Sequence, residues 1–384
     1  MATVPLDAAQ SFIRVTDPNP SYWSPIMRNP FNSMTLRAPK VLLLVALIAL
    51  GIPLCSAAHA PIPAPVPQPT AGKLLTTGLM GTIGGTIGPD GALYVPQGAL
   101  GTVSRIDPWT GRRTTFVSGL PPAIAGVGVG GPMDIAFVGN TAYVLVSLVG
   151  SDVGGDQIDG IYRVDGKDTF TVIADLGQFS ADNPPPPTFS IVLSQGLQFA
   201  LQPIEGGFLV SDGHHNRILH ATLNGDVSVL KQFDDVVPTG LAATADRLYV
   251  AELGPVPDTA DTGKVVAFDL LDSDAVRVVA AGVSMIVDVE FGPHGQLYAL
   301  SQGIAPDGIQ PAQPALPNTG RLLRVNNDGT FTVLVDKLNQ PTSLHFVCDT
   351  ALVVTLGGQV WRIDGADKLP QRGGDCDDCG HGRH

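Results

Sequence analysis

The stretch "LVSDGHHNRILH" (209–220) brings Asp212, His214, His215 and Arg217 together at a Gly-marked break between two apolar runs. Two imidazoles beside a carboxylate are a chemistry-bearing set, able to hold a metal or to move a proton near neutral pH. In a hairpin, however, adjacent side chains diverge, so both rings are not expected on one ion. Asp212 and Arg217 flank the turn at a spacing that lets the carboxylate meet turn amides or the guanidinium. The histidines then read as turn residues at the tip, able to touch whatever binds above them. Glu252, directly after "RLYVA", leaves a strand end where it could be aimed inward, and His345 lies in an apolar strand as a packing or channel-facing imidazole.

Further acids sit in long irregular segments: Asp152, Asp156, Asp159, Asp182, Asp258, Asp261 and Asp307. Oxygen-rich loops suit Ca²⁺, for which Glu252 and Asp212 are the candidate ligands, although no "DxDxDG" loop occurs. His294 reads as an exposed turn residue. The C-terminal "CDDCGHGRH" supplies Cys376, Cys379, His381 and His384, enough donors for zinc in principle. Its tight spacing in an acidic, Gly-rich end favours a local Cys376–Cys379 disulfide in an unstructured tail, with Cys348 left over. No GxSxG elbow, HExxH pair or phosphate-binding glycine loop is present.

Net charge is −13. The first 60 residues hold four Lys/Arg and two Asp/Glu, so the remainder carries 18 basic against 33 acidic residues, a net of −15. Such a body repels phosphate backbones, which excludes nucleic acid as a partner and favours a cationic or neutral ligand. "MTLRAPK", the apolar "VLLLVALIALGIPLC" and the small "SAAHA" form an export signal, with cleavage after Ala58. Gly51 and Pro53 interrupt the apolar run before the ~20 residues of a spanning helix, so the membrane would be met only through an uncleaved signal. Met34 is a plausible second start, and Leu54 before Cys55 is wrong for lipoprotein processing. Residues 1–58 are thus extension and signal, and 59–72 a Pro-rich spacer.

The elements that must position these groups are strands. An aromatic and β-branched strand recurs as "GALYV", "TAYVLV", "GGFLVS", "DRLYVA", "GQLYAL" and "TALVVT", at intervals of about 40 to 65 residues, the scale of a propeller blade. A second series follows it ("GTVSRID" to "GQVWRID"), then a third ("TTFVSGL" to "FTVLVDKL"). The sixth copy lacks its third strand, and "KLLTTGL" (73–79) supplies it from the other end. Innermost strands such as "MDIAFVG" and "VDVEFG" complete sets of four. The pattern predicts an all-β, six-bladed β-propeller over 73–366, closed by the N-terminal strand, with a disordered tail over 367–384. Long connections at 147–159, 179–195, 252–263 and 301–320 gather on one face, the expected binding surface.

At "GPDGALYV…GTVSRIDPWTG" and "LVSDGHHNRILHATLNGDV" the chain resembles NHL-type propellers, and the order of signal, "RIDPWTGRRTTFVSGLP" and "GPMDIAFVGNTAYVLVS" resembles the ScyD/ScyE family of exported proteins. The resemblance spans about residues 72–366. It implies an exported six-bladed ring and carries over no catalytic residues. Two function classes follow as expectations: a monomeric module binding a small molecule, glycan or protein at the channel mouth, or a Ca²⁺-dependent lactonase-like hydrolase or oxidoreductase, for which Glu252, Asp212 and His345 are the groups to test.

Overall fold

The computed structural model describes residues 71–187, 193–255, 261–306 and 313–366. The signal, most of the spacer and the tail with Cys376, Cys379, His381 and His384 lie outside the described residues, as do Asp258 and Asp307.

Twenty-four strands form six four-stranded antiparallel sheets. After β1 (Lys73–Thr76), blade 1 is β2 (Thr86–Ile87), β3 (Leu93–Gln97), β4 (Thr102–Ile106) and β5 (Arg113–Ser118). Blade 2 is β6 (Gly131–Val138), β7 (Thr141–Ser147), β8 (Gly160–Val164) and β9 (Phe170–Asp175). Blade 3 is β10 (Gln198–Ile204), β11 (Gly207–Asp212), β12 (Arg217–Thr222) and β13 (Val227–Gln232). Blade 4 is β14 (Pro238–Ala243), β15 (Arg247–Glu252), β16 (Gly263–Asp269) and β17 (Asp272–Val283). Blade 5 is β18 (Ile286–Phe291), β19 (Leu297–Ser301), β20 (Gly320–Val325) and β21 (Phe331–Leu338). Blade 6 is β22 (Pro341–Val347), β23 (Thr350–Thr355) and β24 (Val360–Ile363), completed by β1.

Each innermost strand touches the next around the circuit, and β2 returns to β22, so the ring is closed. β1 pairs with β24 through Lys73↔Arg362 and Leu74↔Trp361, which is the closure expected from "KLLTTGL". The chain is a six-bladed β-propeller. Blade 1 departs from the repeat, because its innermost strand is only two residues long within "GTIGGTIGPDG". Gly-rich sequence cannot build a long strand, yet small residues let the neighbouring carboxylate approach.

Because every sheet packs on both faces, the second strands are buried along most of their length, and β3, β11, β19 and β23 throughout. Six apolar clusters fill the six blade-to-blade interfaces. Aromatic rings meet edge-on across them, Tyr94 against Phe137 at 5.0 Å and Tyr249 against Phe291 at 5.3 Å. One helix interrupts the all-β pattern. The segment read as loop from 179 begins with α1 (Leu176–Asp182), started by the Asp175 carboxylate accepting the Gln178 amide at 2.8 Å and anchored by buried Leu176 and Ser180.

At the axis, two carboxylates tie the ring across blades. Asp134 Oδ1 accepts the Gly85 amide of blade 1 at 2.9 Å and its own neighbour Ile135 at 2.8 Å, while Oδ2 accepts the Leu201 amide of blade 3 at 2.8 Å. Asp288, three blades away, accepts Val289 at 2.9 Å and the Leu344 amide of blade 6 at 2.7 Å. A side chain at Gly84 would run into the Asp134 carboxylate, and one at Gly240 into that of Asp288. Both acids follow a register shift in the innermost strand, and both face a leucine of the second strand, Leu145 and Leu300.

Removing this acceptor strands buried amides, each costing about 1–3 kcal/mol. Asp134→Ala is therefore expected to lower unfolding free energy by about 3 kcal/mol in urea, with the slope unchanged. An effect below about 0.5 kcal/mol would show that the bridge holds nothing.

Candidate functional site

The ring axis encloses a cavity of about 300 Å³. Its lining includes Asp134, Asp288, Glu290, Gln202, Ser343 and His345, and no Lys or Arg. Leu253 and Gln302, the first residues beyond β15 and β19, also line it, so the cavity reaches the face carrying the long connections.

Burial pushes the Asp134 carboxyl up to about 8, against the three amides that favour its ionised form. Burial likewise pushes Glu290 to about 8 and Asp288 to about 7, and Asp288 adds repulsion on Glu290. His345, 6% exposed, is held neutral by burial, down to about 3. Its Nε2 lies 2.6 Å from Ser343 Oγ, and Ser343 also hydrogen-bonds Asp288. The Ser343 hydroxyl thus lies between the imidazole and the Asp288 carboxyl, and the His345 tautomer sets which of Ser343 and His345 donates to the other.

Asp212, His214, His215 and Glu252 do not line this cavity. Asp212 and Arg217, 0% and 1% exposed, form an ion pair at 3.0 Å. Arg217 also donates to the Asn183 carbonyl at 2.6 Å, Ser180 Oγ at 2.9 Å and His215 Nδ1 at 2.9 Å. Burial alone would raise Asp212, but His215, Arg217 and the Leu197 amide hold it below the usual carboxylate range. The structural use expected for the Asp–Arg pair is thus present. The histidines lie in the turn expected for them, and that turn is covered: His215 is 1% exposed, with its Nε2 2.9 Å from the Leu193 carbonyl oxygen. Asn216 takes the left-handed φ of 53° that the turn requires.

Glu252 is 2% exposed, and burial raises it above the usual range against Lys264, whose Nζ lies 3.2 Å from Oε2 without hydrogen-bond alignment. The two carboxylates considered for calcium therefore each face a cation of their own blade, and we assign neither to a metal. Among the described residues no three His, Cys, Asp or Glu side chains are grouped to hold a metal ion. Of the loop acids, Asp159 is buried and pushed to about 6, Asp152 pins the chain at 194–195, and Asp156, Asp182 and Asp261 are exposed. His294 is exposed in a turn. Cys348, expected to be left over, is instead disulfide-bonded.

Sequence reasoning passed over Asp134, Asp288, Glu290 and Ser343. The available signal was the shared "D-apolar-x-F" of "MDIAF" and "VDVEF", three blades apart.

No protein-family model matches the chain, and no curated protein matches it. Solved structures do. A calcium-binding protein, regucalcin, from Agrobacterium tumefaciens is 14% identical with a TM-score of 0.52, covering 76% of this chain and 93% of that one. A gluconolactonase from Xanthomonas campestris is 10% identical with a TM-score of 0.51, covering 76% and 88%. Both are six-bladed propellers. The likeness is one of fold.

The three raised carboxyls have a definite sign in stability. A carboxyl whose folded-state value lies above its unfolded one stabilises fully below the unfolded value, and that contribution is lost as pH rises through the folded one. The thermal midpoint is expected to fall from about pH 4 to about pH 8, most steeply between about pH 5 and pH 7, where the unfolded carboxyls are ionised and the folded ones still hold their protons, and to level off above that. Glu290→Gln should flatten the decline; a profile of unchanged slope would remove Glu290 from it.

Proposed function

We propose that this protein is an exported binding propeller that takes a small cationic or uncharged molecule into its axial cavity from the long-loop face. The observation that carries this reading is the cavity itself: about 300 Å³, lined by three carboxyl groups, two side-chain amides, four hydroxyls and the neutral His345 ring, and among the described residues by no Lys or Arg. That volume is at the small end of ligand sites. Carboxyls pushed toward neutrality are both donors and acceptors near pH 7, which suits hydroxyl or ammonium groups and opposes anions. Export is supported by the signal-like segment and spacer of the sequence.

A metal-dependent hydrolase is the second reading, suggested by the fold shared with a gluconolactonase and a calcium-binding regucalcin. It is the weaker one here, because Glu252 and Asp212 already face Lys264 and Arg217.

Three isosteres test the first reading: neopentylammonium, neopentyl alcohol and pivalate, followed by NMR of the His345 ring and channel amides. The ammonium and the alcohol should shift these signals, and pivalate should not. Glu290→Gln should weaken the ammonium about tenfold, equivalent to ~1.4 kcal/mol, and leave the alcohol unchanged. Preference for pivalate, or no shift with any of the three at millimolar concentration, would overturn the assignment.

A further inference from the structure

The two adjacent histidines grip one residue from both sides. His214 Nε2 accepts the Leu193 amide at 3.0 Å, and His215 Nε2 lies 2.9 Å from the Leu193 carbonyl oxygen. A carbonyl can only accept, so His215 carries its proton on Nε2 and leaves Nδ1 bare for Arg217 Nη2. An amide can only donate, so His214 Nε2 carries none. The hydrogen-bond role of His214 therefore requires its ring to be neutral.

Residues 193–195 bridge two blades. Leu193 packs with Val127 and Leu148, while Ser194 Oγ donates to Asp152 Oδ1 at 2.7 Å and the Gln195 amide to Asp152 Oδ2 at 2.6 Å. Gln195 Oε1 accepts the Asp152 amide at 3.1 Å in return. Residues 193–195 thus join the β11–β12 turn of blade 3 to the 147–159 connection of blade 2, on the long-loop face.

We propose that the His214–His215 pair is an acid-released clasp holding residues 193–195 between blades 2 and 3. Protonation of His214 puts a hydrogen on Nε2 facing the Leu193 amide hydrogen, which converts a bond into a repulsion. His215 Nδ1 lies 3.3 Å from Asp212 Oδ2. Among the described residues, the charged groups around the pair include Asp212 and Arg217 from its own hairpin and Asp152 from the facing connection.

Burial and His215 lower His214 below the ordinary imidazole value, while Asp212 and Asp152 pull it back. A histidine lowered in the folded state favours its neutral form there, so the clasp is held above the ordinary value of about 6.5 and released as pH falls below it.

Amide hydrogen exchange, corrected for intrinsic rates, tests the clasp in the full chain. Protection of the Leu193 amide should fall at least tenfold from about pH 7.5 to about pH 5, while the β11 amides of Leu209 and Val210 keep theirs. His214→Gln, which offers an acceptor that does not titrate, should abolish the pH dependence, and His214→Ala should leave Leu193 unprotected at both values. Equal protection of Leu193 at both pH values in the native chain overturns the proposal. So does pH dependence that persists in His214→Gln, or a parallel loss of protection in β11.

Discussion

The ring depends on satisfying backbone amides that face its axis. An innermost strand pairs with its own blade on one side and turns the other toward the channel, where each buried N–H without a partner costs free energy. Asp134 and Asp288 answer this by reaching to neighbouring blades: Asp134 to Gly85 and Leu201, Asp288 to Leu344. Apolar packing between blades is strong but non-directional. The carboxylates add direction, tying adjacent blades at fixed atoms, and Gly84 and Gly240 leave the space they occupy.

That arrangement also sets the character of the cavity. Carboxyls placed where the ring needs acceptors are carboxyls removed from water, so burial drives Asp134, Asp288 and Glu290 toward the neutral form. An acidic interior, lined among the described residues by no Lys or Arg, follows from how the ring is held. The hydrogen-bonded Ser343–His345 pair belongs to this interior, with His345 held neutral by burial.

On the rim, a second polar network centres on Arg217. Four of its hydrogen-bonding contacts go to four different residues, which locks the β11–β12 turn against α1. Removing Asp212 would leave this guanidinium buried without its counter-charge, so the pair reads as a structural support. The histidines beside it face outward from that support to Leu193.

The sequence by itself determined the blade count, the strand order and the closure by "KLLTTGL", because repeated β-branched strands at blade spacing admit few other burials. It also determined the acidic balance and the pairing of Asp212 with Arg217, which lie five positions apart across one turn. Tertiary structure decided the rest. Asp134, Asp288, Glu290 and His345 come from three different blades and meet only when the ring closes, so no local spacing announces them. Glu252, which looked aimed inward, is taken by Lys264 on the adjacent strand, a cross-strand register that its own segment does not encode. His214 and His215 are covered because a connection from the preceding blade folds over them, and burial of a turn is set by what lands on it.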